Sequence, residues 1–307
     1  MSWQRRWINA ALLRFEKPLL ERATDPKALR RGFERRVRFW MHVPRRVKVE
    51  KSLPGGYPGW VLHPPDLSEF GRRGGTLFHI HGGAFILGSP RTHAPMLGHL
   101  SCLVGAPVMV PAYPLAPEAP FPAARNHLRE TQHSLIAGGI EQERIVLGGD
   151  SAGGALAFGL LADLCKSGLP PLAAYGLSVV SDLTFSGESM SRNADREALL
   201  PAKRAQDLAE MYLGSADPFD PQASPLFAEY PSPPPVWLAA SSSEVLLDDT
   251  RRLAARLRHH GGEVTERIEQ NLPHVWPFFW RMLPEGRQTL AELARWISRQ
   301  HPGSGES

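Results

Sequence analysis

Gly149-Asp150-Ser151-Ala152-Gly153 sits between two contrasting stretches of chain. Residues 144–147 form a brief apolar run that reads as a buried strand, and residues 155–162 put Leu156, Leu160 and Leu161 on one helical face. A serine hydroxyl becomes a nucleophile only when a base takes its proton and a turn holds it clear of the fold. G-x-S-x-G between strand and helix supplies that turn, because small residues permit a tight bend and a close approach of the helix to its strand. Ser151 is therefore the candidate nucleophile for attack on an acyl carbon. The competing reading is a glycine-rich structural turn.

Such chemistry needs donors for an oxyanion, a base and an acid. His81-Gly82-Gly83-Ala84-Phe85 follows residues 76–80, which read as a strand, so it leaves the sheet at the edge where α/β proteins bind ligands. Gly82, Gly83 and Ala84, with Ala152 at the start of the nucleophile helix, are the candidate oxyanion donors. One such N–H contributes ~3–4 kcal/mol in the transition state. His274, in Asn271-Leu272-Pro273-His274-Val275-Trp276, stands between the last strand and the last helix and is the candidate base. His63, His79 and His93 precede the serine, against the chain order serine, acid, histidine. His81 reads as a residue that fixes the oxyanion loop, and His259 and His260 as solvent-facing residues at a helix end.

For the acid, Glu244 directly follows the strand at residues 236–240. Asp248 is the serious rival and Asp182 and Asp249 stand behind it. Asp248 and Asp249 also have a structural reading, as first-turn carboxylates that favour the helix dipole. Phe85, Asp150 and Trp276 are the candidate lining of a substrate pocket. No step requires a metal or an organic cofactor, and neither is expected. The two cysteines, Cys102 and Cys165, lack C-x-x-C spacing and read as buried thiols.

The elements that must position these groups alternate. Strands are expected at residues 47–51 and 59–62 as a pair, then at 76–80, 107–110, 145–147, 173–180, 236–240 and 264–268. Helices are expected near 92–105, 121–138, 202–213, 247–260 and 286–299. This rhythm points to an α/β domain whose mostly parallel sheet is covered on both faces. Before it, residues 3–22 carry Trp3, Trp7, Ile8, Ala11, Leu12, Phe15 and Leu19 at helical spacing with arginines between them. Asp25-Pro26 then caps a second helix to about Trp40. These helices read as an amphipathic cover on the main domain, with membrane-surface contact and self-association as alternatives. An irregular block from about 182 to 215 interrupts the alternation and reads as part of a cap.

Composition narrows the rest. At 307 residues the chain can bury a large core, and its net charge of +4 is too small to imply a nucleic-acid partner. The charge is uneven: residues 1–50 hold 14 Lys or Arg against 5 Asp or Glu, so the remainder carries −5. No run of 18 apolar residues or secretory signal stands out, and a cytoplasmic protein without stable membrane insertion is expected.

Taken together the motifs resemble those of the hormone-sensitive-lipase-like carboxylesterases of the α/β-hydrolase superfamily. His81-Gly82-Gly83-Ala84 is similar to their His-Gly-Gly-Gly motif, with Ala84 in place of the third glycine. Gly149-Asp150-Ser151-Ala152-Gly153-Gly154 matches their nucleophile motif. Tyr113-Pro114-Leu115-Ala116-Pro117-Glu118, Phe121-Pro122-Ala123, Ser224-Pro225-Leu226 and His274-Val275 also correspond. Glu244-Val245-Leu246-Leu247-Asp248 lies over the family's Asp-Pro-Leu-x-Asp, which implies that Glu244 is the acid and Asp248 is not. Ser178-Val179-Val180-Ser181-Asp182-Leu183 departs from Ser-Pro-Trp-x-Asp-Leu, so the pocket wall beside the cap is expected to be unusual.

The resemblance implies an α/β-hydrolase fold with a helical cap: residues 1–45 and 183–215 as its two parts, and 46–182 and 216–307 as the core. It implies a serine carboxylesterase acting on a small-molecule ester through an acyl-enzyme. Short acyl chains are expected under a compact cap rich in aromatic residues, with Trp3, Trp7 and Phe15 among them. A lactone, an amide or an acetylated natural product is the alternative substrate, and a non-catalytic small-molecule receptor is the alternative of another class. Homo-oligomerisation is left open.

Overall fold

In the computed structural model, which describes residues 2–300, the apolar runs become neighbouring strands because both of their faces are buried. The strands are β1 (Lys48–Glu50), β2 (Gly59–His63), β3 (Thr76–Ile80), β4 (Val108–Pro111), β5 (Ile145–Asp150), β6 (Ala173–Leu177), β7 (Val236–Ser241) and β8 (Val264–Glu269). They form one sheet in the order β1-β2-β4-β3-β5-β6-β7-β8. β2 pairs antiparallel with β1 and β4, and all other pairs are parallel. In β3, Leu77 belongs with Val108 and Val146 to the buried cluster on one face, while Phe78 and Ile80 belong with Leu147 to the cluster on the other. Such double burial is what a parallel sheet between helical layers demands.

The helices are α1 (Trp3–Ala11), α2 (Lys17–Arg22), α3 (Pro26–Trp40), α4 (Glu69–Arg72), α5 (Pro90–Val104), α6 (Ala123–Ala137), α7 (Ser151–Lys166), α8 (Ser189–Arg192), α9 (Ala205–Leu213), α10 (Leu247–His259) and α11 (Pro284–Arg299). Apolar residues of α6, α7 and α10 pack into the core on one face of the sheet, and those of α5 and α11 on the other. Asp25 caps α3 as expected, its carboxylate accepting the Lys27 N–H at 2.8 Å.

Some boundaries differ from the sequence reading. The strand expected over 173–180 stops at Leu177, because Ser178 turns into the left-handed region at φ +51°. The helix behind the elbow begins at Ser151 itself. Residues 3–22 are helical throughout, but Leu12–Glu16 is a π-helical stretch between α1 and α2. No residue of that segment is buried, and Trp3, Trp7 and Phe15 are 69%, 71% and 70% exposed. Ile8 packs against the core from this segment, and polar contacts add to its attachment. Ser2 donates through its N–H and its hydroxyl to Glu285, Arg5 to the Gln270 carbonyl, and Asn9 to the Asn271 carbonyl. Cys165 is buried and Cys102 only half-buried, and both thiols are free. Among the described residues no helix is long and apolar enough to cross a membrane.

Candidate active site

β5 runs out at Asp150 and α7 starts at Ser151, which stands at φ +51°. A non-glycine residue held in this region is strained, and the surrounding turn must fix it. Gly153 allows the fixing: a Cβ there would lie 2.2 Å from the Ile80 carbonyl oxygen, so only glycine lets α7 start this close to the end of β3. The hydroxyl so presented lies 2.8 Å from His274 Nε2. His274 Nδ1 lies 3.0 Å from Glu244 Oε2. A carboxylate only accepts, so Nδ1 carries the proton and Nε2 accepts from the serine. Ser151, His274 and Glu244 are 7%, 3% and 0% exposed.

Glu244 reaches the imidazole by folding back over the end of β7. Its Oε1 accepts the Ser241 N–H at 2.8 Å and the Ser178 hydroxyl at 2.9 Å. The Ser178 oxygen in turn accepts the Val275 N–H at 3.1 Å, which ties the acid loop to the histidine loop. The rival acids are engaged elsewhere. Asp248 accepts the Ser189 N–H at 2.8 Å at the start of α8. Asp249 accepts the N–H groups of Ser181 and Asp182, and Asp182 binds Thr184, Ser186 and Arg252. None of the three is hydrogen-bonded to His274.

Two side chains from the segment after β6 hold the acid loop from above. Asn193 Nδ2 donates to the carbonyls of Ser242 and Glu244 at 3.1 and 2.8 Å, and Glu197 Oε2 accepts the Val245 N–H at 3.3 Å. Lys17 of α2 donates to the carbonyls of Ala194 and Glu197, so the N-terminal helices reach the same clamp. Burial, and then the nearby Glu244, push the Glu197 carboxyl above its ordinary value. Burial alone would lower His274, but the hydrogen bond and charge of Glu244, with smaller help from Glu197, leave it above the usual imidazole value.

On the other side of Ser151 the loop after β3 carries Gly83 at φ +126°, where a Cβ would meet the Leu87 carbonyl oxygen at 2.1 Å. Among the described residues the N–H groups of Gly83 and Ala84 donate to no protein acceptor. The Ala152 N–H lies in the first turn of α7, where helix N–H groups lack an intrahelical partner. Gly82 departs from its expected role, since its N–H donates to Asp150 Oδ1 at 3.1 Å. His81 does brace the loop. Its ring stacks on Tyr113 with centroids 4.3 Å apart, its Nδ1 lies 2.9 Å from the Gly82 carbonyl oxygen, and burial holds it neutral with a pKa of about 3.

The three residues expected to line a pocket are all buried. Asp150 is 2% exposed and lies behind the oxyanion loop, held by His79 Nε2 at 2.9 Å and His93 Nε2 at 3.4 Å. Burial would raise its carboxyl, yet the two imidazoles hold it far below the usual carboxylate range. Trp276 is fully buried against α11, where its indole N–H donates to Thr289 at 2.9 Å. Phe85 is also buried, its ring stacked on Tyr212 of α9 at 3.7 Å between centroids. Phe85 and Trp276 pack against neighbouring elements, whereas Asp150 braces the loop through the two imidazoles and the Gly82 N–H.

Sequence reasoning passed over Ser178, Asn193, Glu197 and the pair His79 and His93. Ser178 had a signal, as the first residue of the stretch set against Ser-Pro-Trp-x-Asp-Leu, and His79 and His93 were set aside on chain order alone. Asn193 and Glu197 lie in an irregular segment with no periodicity to read. Among the described residues no group of three or more His, Cys, Asp or Glu side chains is placed to hold a metal ion.

A family model described as alpha/beta hydrolase fold matches residues 77–278. A Streptomyces hygroscopicus protein named acetyl-hydrolase is 37% identical over 233 residues, 76% of this chain and 78% of that relative. An esterase of Acinetobacter venetianus is 34% identical over 226 residues, 72% of this chain and 74% of its own. The crystal structure of an esterase from the bacterial hormone-sensitive lipase family superposes with a TM-score of 0.90 at 31% identity, covering 98% of this chain and 99% of that one.

Proposed function

The chain belongs to the α/β-hydrolase fold family, among its hormone-sensitive-lipase-like carboxylesterases, and we propose that it hydrolyses short- to medium-chain carboxylic esters with Ser151, His274 and Glu244 as its triad. The observation that carries this reading is the row of two hydrogen bonds, 2.8 Å from Ser151 to His274 and 3.0 Å from His274 to Glu244. Ser151 Oγ attacks the carbonyl carbon while His274 Nε2 takes its proton. Glu244 holds the ring in the required tautomer and stabilises the imidazolium. The N–H groups of Gly83, Ala84 and Ala152 receive the oxyanion. The intermediate collapses, His274 protonates the departing alcohol, and Ser151 keeps the acyl group. Water then attacks, gives its proton to His274, and the acid leaves as the proton returns to Ser151.

The narrow exposure of Ser151, 7%, favours a small acyl group. The name acetyl-hydrolase on the Streptomyces relative speaks for the short end of the range. With Trp3, Trp7 and Phe15 facing outward, that preference rests on the oxyanion loop and the turn at Val180, whose N–H donates to the Ser151 carbonyl at 3.2 Å. Residues 1–45 and 183–215 are read as the two parts of a cap. Support comes from Lys17 bonding to Ala194 and Glu197, and from Arg204 bonding to the carbonyls of Glu21 and Ala23. Two unpaired thiols agree with a cytoplasmic location. A p-nitrophenyl ester series of increasing acyl length, with lactones and amides beside it, tests the substrate class. Higher kcat/KM on a four-carbon than on a sixteen-carbon ester is expected. The reverse order, or faster turnover of lactones or amides, would overturn it.

A further inference from the structure

The segment from α1 to α2 presents a stripe that the fold does not use. Trp3, Trp7, Ala11, Phe15 and Leu19 follow one another at intervals of four, and all five are exposed. In a regular α-helix a step of four drifts by about 40°, so such a stripe winds away around the axis. The wider turn of the π-helical Leu12–Glu16 offsets part of the drift and keeps Phe15 and Leu19 on an open side. Other residues of the segment supply its attachments: Asn9 to the Asn271 carbonyl, Glu16 to Arg36 of α3, and Lys17 to the carbonyls of Ala194 and Glu197. Around the stripe stand Arg6, Arg14 and Arg22, also exposed, with Glu21 the nearby acid. Among the described residues none of these three arginines has an ion pair, and Arg14 lies over the ring of Phe15 at 5.6 Å.

From this we infer that the outer side of α1–α2 docks on an anionic lipid surface, with Trp3, Trp7 and Phe15 entering the headgroup layer and Arg6, Arg14 and Arg22 meeting its charge. An exposed helix side that alternates large aromatic rings with arginines fits an interface that is apolar below and anionic above. Charge decides against the main alternative, a second copy of the chain. Residues 2–22 hold 5 Lys or Arg against 2 Asp or Glu, so a symmetric contact through α1–α2 would bring two copies of the same net basic surface face to face. An anionic bilayer attracts that surface through each arginine close to it.

The test uses the full chain and flotation with vesicles of phosphatidylcholine alone or mixed with phosphatidylglycerol. Binding is expected only to the mixed vesicles, and should fall by tenfold or more as salt rises from about 50 mM to about 500 mM. The triple variants Trp3→Ala/Trp7→Ala/Phe15→Ala and Arg6→Gln/Arg14→Gln/Arg22→Gln should each bind at least about tenfold more weakly. Both should keep the parent's circular dichroism and its rate on a dissolved short ester. Equal binding to both vesicle types, no binding, or variants that bind like the parent would overturn the inference. So would sedimentation velocity showing a parent dimer that the aromatic variant dissolves, which would assign the stripe to a second copy.

Discussion

One carboxylate oxygen of Glu244 is held by the Ser241 N–H and the Ser178 hydroxyl, which leaves the other oxygen to the His274 ring. The extra methylene of glutamate is thus absorbed by a backward fold over β7. Glu244→Gln should lower kcat by about 10⁴-fold, as the loss of a triad carboxylate does. Asp248→Asn should leave kcat within about tenfold and act on stability, because Asp248 binds the start of α8. A stopped assay on one short ester, with each fold checked by circular dichroism, separates the two. Ser178→Ala removes a hydrogen bond to a charged group, worth ~1.5–3 kcal/mol. A drop in kcat of about 10–100-fold with little change in KM is expected for that variant. That Ser151 and His274 would meet was legible from motif, chain order and strand ends, while Glu244 stood ahead of Asp248 chiefly through the family resemblance. The Gly82 N–H and the side chains of Phe85, Asp150 and Trp276 were expected to face the site and are turned to other partners, because nothing local in the sequence encodes the direction in which a group points.

Elements bring these residues together at one edge of the sheet. β3, β5, β6, β7 and β8 are neighbours running in parallel, so the loops that follow them share that edge. Continuous apolar runs made these strands readable. The segment after β6 was not readable, although its Asn193 clamps the acid loop. Asn193→Ala would leave the buried carbonyls of Ser242 and Glu244 without that donor, at a cost of about 1–3 kcal/mol. Urea unfolding should register the loss, with a fall in kcat as Glu244 loosens. The helical spacing of Trp3, Trp7 and Phe15 likewise showed which residues share a side and not which way that side faces. Polar contacts at Ser2, Asn9 and Lys17, invisible to periodicity, decide it.

At the scale of the molecule, buried titratable groups link stability and activity to pH. Asp249 is pushed up to about 7, chiefly by burial, and among the described residues its Oδ1 has no partner. The folded chain therefore holds this proton to a higher pH than the unfolded chain. Its stabilising contribution is complete below about 3.8 and is lost as pH rises toward about 7. Asp249→Asn should flatten that part of the curve of melting temperature against pH. His274 must be neutral to accept the serine proton, and its pKa is raised above 6.5. kcat/KM on a short ester should accordingly climb with pH through a value above 6.5. The proposed mechanism passes through a covalent acyl-enzyme on Ser151. Its most direct test is the mass of the intact protein, quenched in acid during turnover of p-nitrophenyl butyrate and then mapped by peptide. One butyryl group on Ser151, absent from Ser151→Ala, is the predicted result; acylation at another residue, or full turnover by properly folded Ser151→Ala, would contradict it.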